Sequence, residues 1–72
     1  MEVFIRDSYI KLGQALKLAG LTGSGVESKM LIGDGEVRVN GEVETRRGKK
    51  LVDGDIVTLG DDSFTVRSEL DG

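Results

Sequence analysis

The dipeptide Asn40-Gly41, inside the run Gly35-Glu36-Val37-Arg38-Val39-Asn40-Gly41-Glu42-Val43, constrains this chain more than any other feature. Asn-Gly favours the type I′ turn, whose two central residues both need positive φ. Val37, Val39 and Val43 flank it with β-branched side chains suited to a pleated surface. A tight hairpin is therefore expected in mid-chain. Two short helical patterns precede it, and a basic run, Arg46-Arg47-Gly48-Lys49-Lys50, follows it.

A chain of 72 residues makes one small domain, read here as residues 1–72. A chain this short buries only about 60% of the surface its unfolded form exposes, so the core is thin. The hydrophobic content of 38% suffices for a compact fold. No apolar run approaches the ~20 residues of a membrane span. The start, Met1-Glu2-Val3-Phe4-Ile5-Arg6, lacks the basic and apolar regions of a signal peptide. There is no cysteine and no histidine, which argues against a disulfide framework, a zinc site and Cys- or His-based catalysis. A cytoplasmic, non-enzymatic protein without cofactor, metal, membrane or small-molecule substrate is the expectation.

The net charge of −3 is unevenly distributed. Residues 1–50 hold nine Lys/Arg against seven Asp/Glu, a net of +2. Residues 51–72 hold one Arg against six acids, a net of −5. Local fields decide binding more than the total does.

Val3 to Ile5 reads as a short strand, and Asp7-Ser8 as a turn or helix cap. Leu12, Ala15, Leu16 and Ala19 repeat at i, i+3, i+4 and i+7, with Leu18 widening that face and Gly20 closing the helix. Gly13 lowers helicity or permits a close backbone approach. Ser24-Gly25-Val26-Glu27 fits a capping box opening a second helix. Val26, Met30 and Leu31 keep its spacing, Ile32 lies beside them, and Gly33 and Gly35 end it. Residues 44–50 have no apolar side chain and read as an exposed loop. Asp53-Gly54-Asp55 marks a turn. Ile56 to Leu59 and Phe64 to Arg67 are strand candidates joined at Gly60-Asp61-Asp62-Ser63. Ser68 to Gly72 reads as a frayed tail.

Three groups of residues bear on function. Arg46, Arg47, Lys49 and Lys50 crowd four cations into five positions, with Gly48 giving the backbone access to a phosphate partner. Lys11, Lys17 and Lys29 decorate the helices. With the N–H groups at Ser24 to Val26 they suit an anion at a helix start. The acids Asp53, Asp55, Asp61 and Asp62 lack the ligand spacing of a calcium loop and read as turn formers. Phe4 and Phe64 fall in strand patterns, so an aromatic platform for base stacking is not expected.

Taken in order, Lys11-Leu12-x-x-Ala15-Leu16, Ser24-x-x-x-Ser28-Lys29-x-Leu31-Ile32, Gly35-x-Val37-x-Val39-Asn40-Gly41 and Gly54-Asp55-Ile56-Val57 resemble the S4-type RNA-binding domain, named for ribosomal small-subunit protein four. The resemblance covers roughly residues 10–59. The stretch from Val43 to Leu51, with Leu12-Gly13-Gln14, looks most like its short stand-alone bacterial members. The resemblance implies an α+β fold, the αL motif, with two short helices packed on a small, bent, mostly antiparallel sheet. It also implies an RNA face built from the helices, the loop between them and the adjoining hairpin. Lys11 stands where the family usually has Arg. Ser24, Lys29 and Val39-Asn40-Gly41 match it. Gly25 stands in place of a common Arg, and Ser28 in place of a small Ala.

The expected function is recognition of structured RNA, ribosomal RNA or tRNA, through phosphates and shape. The protein is expected to act as a monomer and to associate with the ribosome or translation. The candidate contacts are Lys11, Lys17, Ser24, Lys29, Arg38, Arg46, Arg47, Lys49 and Lys50. In this reading the hairpin is a strut that sets Arg38 and the 46–50 loop beside the start of the second helix. Two other readings remain open. One is a β-grasp sulfur carrier, against which the ending Leu70-Asp71-Gly72 counts. The other is a protein adaptor using the acidic last third.

Overall fold

The computed structural model describes residues 1–70. It contains β1 (Glu2–Ile5), β2 (Ile10–Lys11), α1 (Leu12–Leu18), α2 (Gly25–Gly33), β3 (Val37–Val39), β4 (Glu42–Val43), β5 (Lys50–Leu51), β6 (Ile56–Leu59) and β7 (Asp62–Ser68). Five strands form one sheet in the order β1-β7-β6-β3-β4, and β2 and β5 form a separate two-stranded ladder. Every pairing is antiparallel except β1 with β7. The fold class is α+β, with both helices on one face of the larger sheet.

Strand alternation builds the core. Val3 and Ile5, Val37 and Val39, Val57, and Phe64 and Val66 point inward at period two. Leu12, Ala15 and Leu16 of α1, Ile32 of α2 and Leu51 of β5 close over them. These side chains are nearly all excluded from water, and each large one contributes roughly 1.5–3 kcal/mol on burial. Neither helix is long enough to stand alone, so this packing is what holds them.

Both helices end in Schellman motifs. At the end of α1, Gly20 (φ 77) and Leu21 return N–H groups to the Lys17 and Leu16 carbonyls. At the end of α2, Gly35 (φ 78) and Glu36 do the same to Ile32 and Leu31. Ser24 is the N-cap of α2, and its Oγ accepts the Glu27 N–H at 3.1 Å. The buried hydroxyls of Ser28 and Thr22 lie 2.6 Å apart, so the polar atom that Ser28 brings between the helices is paired.

Several expectations need correction. Asp7-Ser8 takes the first of its two expected roles, turning the chain between β1 and β2, and the helix cap falls instead on Lys11. Leu18 does not widen the buried face but is 58% exposed. The second helix buries Ser28 and Ile32, whereas Val26 and Met30 face solvent. Its apolar residues lie on all sides, so periodicity alone could not select the buried one. Lys50 belongs to β5 rather than to a loop. Phe4 lies in a strand as expected but points outward, while Phe64 is buried. Ser68 is a strand residue. Its N–H donates to Asp53 Oδ1 at 2.8 Å, and the Glu69 N–H donates to the Ile5 carbonyl at 2.8 Å. Leu70 follows the strand, its N–H donating to Ser68 Oγ at 3.2 Å, and residues 71 and 72 of the anticipated tail lie outside the described residues.

The Asn40-Gly41 turn has φ values of 53 and 88, as a type I′ hairpin requires. Asn40 also acts beyond the turn. Its Oδ1 accepts the Ile56 N–H at 2.9 Å, and its own N–H donates to the Ile56 carbonyl at 2.7 Å. Its Nδ2 donates to Asp55 Oδ1 at 3.0 Å, while Asp55 Oδ2 accepts the Val52 N–H at 2.8 Å. The side chain thus pins the hairpin to the start of β6. Asn40→Gly keeps the positive φ, removes these side-chain bonds and adds a little backbone freedom to the unfolded chain. It should lower stability by about 1–2 kcal/mol in urea unfolding. An unchanged midpoint would restrict Asn40 to turn geometry.

Candidate nucleic-acid interface

An α-helix leaves its first N–H groups without partners inside the helix. Lys11 makes no side-chain cap on α1. The loop preceding β5 does the work instead. The Leu12 N–H donates to the Lys49 carbonyl at 2.8 Å, and the Gly13 N–H donates to the Arg47 carbonyl at 3.1 Å. The approach is close enough to demand glycine. A Cβ on Gly13 would lie 2.8 Å from Arg47 Cγ. Gly13 therefore serves close approach, the second of its two expected roles.

This docking creates a cleft lined by Lys11, Gln14, Lys17, Gly25, Arg47 and Gly48, together with Gly13. Three cations from two separate segments meet there. Gly25 brings in the first turn of α2, and Gly48 leaves the loop side open. Lys11, Gln14 and Lys17 follow one another at i, i+3 and i+6 along one flank of α1. Gln14 is the member that the charge pattern did not single out, although this spacing points to it.

The other expected contacts are placed differently. The hydroxyl oxygen of Ser24 is committed to capping α2. Lys29 is exposed on α2 but does not line the cleft. Arg38 lies on the outer face of the hairpin, its guanidinium donating to the Gly41 carbonyl at 3.3 Å. Arg47 and Gly48 lie beside the first turn of α2, held by the loop's bonds to α1, whereas Arg38 lies elsewhere. Lys49 borders a groove with Glu42, Glu44 and Asp55. The Lys50 ammonium sits 4.7 Å from the centre of the Tyr9 ring, a cation–π geometry.

Arg46 is held by Glu44. Its Nε donates to Oε2 at 2.9 Å, its Nη2 to Oε1 at 3.2 Å, and its backbone N–H to Oε2 at 3.0 Å. The Arg46 side-chain and backbone donors hold the Glu44 carboxyl at about 2, well below its ordinary 4.5. Of the four clustered cations, Arg47 alone lines the cleft. Two acids of the last third are also engaged internally. Asp53 and Asp55 accept backbone N–H groups at Ser68 and Val52.

Among the described residues, no buried side-chain polar atom lacks a partner, and no group of three or more potential metal ligands gathers. Among the described residues, no helix is long and apolar enough to cross a membrane.

Comparison with known proteins agrees with this architecture. The S4 domain family model matches residues 3–67, taking in most of β1 and of β7 as well as the motif-bearing stretch 10–59. The chain is 45% identical over 65 residues to "Probable ribosome maturation protein RlbA" of Bacillus subtilis (strain 168), covering 89% of this chain and 92% of that protein. It is 40% identical over 58 residues to "Putative RNA-binding protein YbcJ" of Escherichia coli (strain K12), covering 81% and 83%. The solution structure of E. coli YbcJ, described as revealing an αL motif involved in RNA binding, superposes with a TM-score of 0.73 at 34% identity. That match covers 93% of this chain and 86% of YbcJ.

Two predictions follow from the docked loop. Gly13→Ala should destabilise the wild type despite alanine's helix propensity, because Arg47 must move. In an Arg47→Ala background, which has no Cγ, the same change should stabilise by up to about 1 kcal/mol. Thermal unfolding of the four proteins closes this cycle, and equal effects in both backgrounds would rule out the steric coupling. Glu44 has a depressed pKa, so its pairing contributes stability above the unfolded value and loses it as pH falls from 4.5 towards 2. Glu44→Gln should therefore lower stability at neutral pH, by less than about 1 kcal/mol for so exposed a partner. Melting curves of the two proteins should converge at the acid end.

Proposed function

The chain belongs to the S4 domain family, and on that premise we propose that it is a non-catalytic module that binds structured RNA. The observation that carries this reading is the convergence of Lys11, Lys17 and Arg47 on one cleft beside the first turn of α2. Cations spaced along a groove suit successive phosphates. Glycines at 25 and 48 let a sugar–phosphate backbone approach the chain. A-form RNA hides its base edges in a deep major groove, so phosphate and shape contacts dominate recognition of the paired part.

Ribosomal RNA is the favoured target over tRNA, because the Bacillus subtilis relative is named for ribosome maturation. On this reading the protein acts in the cytoplasm as a monomer and associates with ribosomal particles. The net negative charge is compatible with binding, since the acids lie largely away from the cleft. The β-grasp alternative gives way to the family match. The adaptor reading is weakened by the internal use of Asp53 and Asp55.

The test is binding of ribosomal RNA fragments across a salt series, for wild type and for Lys11→Ala/Lys17→Ala/Arg47→Ala. Each lost phosphate contact should reduce the slope of log K against log salt by roughly 0.7–0.9. Arg38→Ala/Lys49→Ala, which removes two cations outside the cleft, should leave the slope nearly unchanged. Equal losses in both variants would leave the cleft without a special role.

A further inference from the structure

Beside the basic cleft lies a second depression, of about 440 Å3, bordered by Tyr9, Gln14 and Lys17, with Ile5, Ile10 and Leu18 as its apolar lining. Gln14 and Lys17 line both hollows. A strand whose phosphates follow Lys11, Lys17 and Arg47 would therefore bring its next base to this depression. The chemistry of the two hollows differs. The cleft is cationic, whereas this one pairs an aromatic ring and aliphatic side chains with a primary amide. Asp7 also lines it, and its carboxylate disfavours a phosphate here.

Tyr9 is available for stacking. It is 40% exposed, and Lys50, the cation that sits over its ring, lines neither this depression nor the adjoining one that Tyr9 shares with Lys11. Of the three aromatic residues, Phe64 is buried and Phe4 lies on β1 outside this region. Gln14 is exposed at the shared wall and offers two donors and an acceptor to a base edge.

Resting on the RNA-binding reading, we propose that this depression is a subsite for one unpaired nucleobase, stacked on Tyr9 and hydrogen-bonded by Gln14. The preferred ligand is then a paired stem interrupted by a bulged or unpaired nucleotide, rather than a continuous duplex. Tyr9 and Gln14 add recognition of an extruded base to the phosphate contacts of the cleft.

Two RNAs test this: a hairpin stem with a single bulged nucleotide, and the same stem fully paired. Tyr9→Leu should weaken binding of the bulged RNA roughly tenfold, within the range measured for base–aromatic stacking, and leave the paired stem unaffected. Tyr9→Phe should retain the preference. The chain has one tyrosine and no tryptophan, so the intrinsic tyrosine fluorescence of the wild type reports position 9 alone. At saturation the bulged RNA should quench it more than the paired stem does, a readout that needs no variant. Equal quenching by both RNAs, or equal loss of both on Tyr9→Leu, would overturn the subsite while leaving the cleft intact. Failure of the wild type to bind either RNA would overturn the RNA reading and the subsite with it.

Discussion

Two backbone hydrogen bonds, from the Leu12 and Gly13 N–H groups to the Lys49 and Arg47 carbonyls, hold the cationic cleft in shape. They satisfy the open start of α1 without a side-chain cap. They also hold a stretch with no apolar side chain of its own against the rest of the molecule. No side chain in residues 44–49 is buried enough to do so, and the Glu44 N–H adds one bond, to the Val37 carbonyl at 3.0 Å. The short ladder of β5 on β2 continues the attachment, and Leu51 drives it into the core. A loop that composition alone marks as solvated is thereby ordered, at a cost of roughly 1–2 kcal/mol per backbone residue fixed.

Ordering the loop sorts its charges. Arg46 is turned back onto Glu44, Lys49 borders an acidic groove, and Lys50 lies over Tyr9. Arg47 is left to join Lys11 and Lys17. A net-acidic protein can thus present a local cationic cleft, because at physiological salt the field of remote acids is screened within about 8 Å. The same sorting explains why a count of basic residues overstates the charge gathered in the cleft. Positive charges in sequence proximity are divided by the backbone path among different sides of the fold.

The features legible in the sequence are those set by local chemistry. Asn40-Gly41 announced its turn through the positive φ it tolerates, Ser24 its cap, and Gly20 and Gly35 the helix ends. The ordered motifs together pointed to the S4 family and its α+β fold. What the sequence hid depends on long-range partners. The buried side of α2 carries Ile32 and a Ser28 hydroxyl paired with Thr22, while the apolar Val26 and Met30 face solvent. The strand character of Lys50 and Ser68 comes from β2 and β1, which lie far away along the chain. The need for Gly13 becomes visible only once the Arg47 stem is seen beside it. Within the cleft, Lys11, Lys17 and Arg47 were legible as basic residues, but their meeting, and the exclusion of Arg38 and Lys49, required the loop's path.

On the reading proposed above, RNA sits on the surface built on that loop attachment. Amide chemical-shift mapping of 15N-labelled protein during titration with a ribosomal RNA hairpin tests it most directly. The expected perturbations centre on Lys11, Gln14, Lys17, Gly25, Arg47 and Gly48, with little change along β6 and β7. Perturbations centred on the outer sheet face around Phe4, Arg38 and Arg67, with the cleft silent, would contradict it.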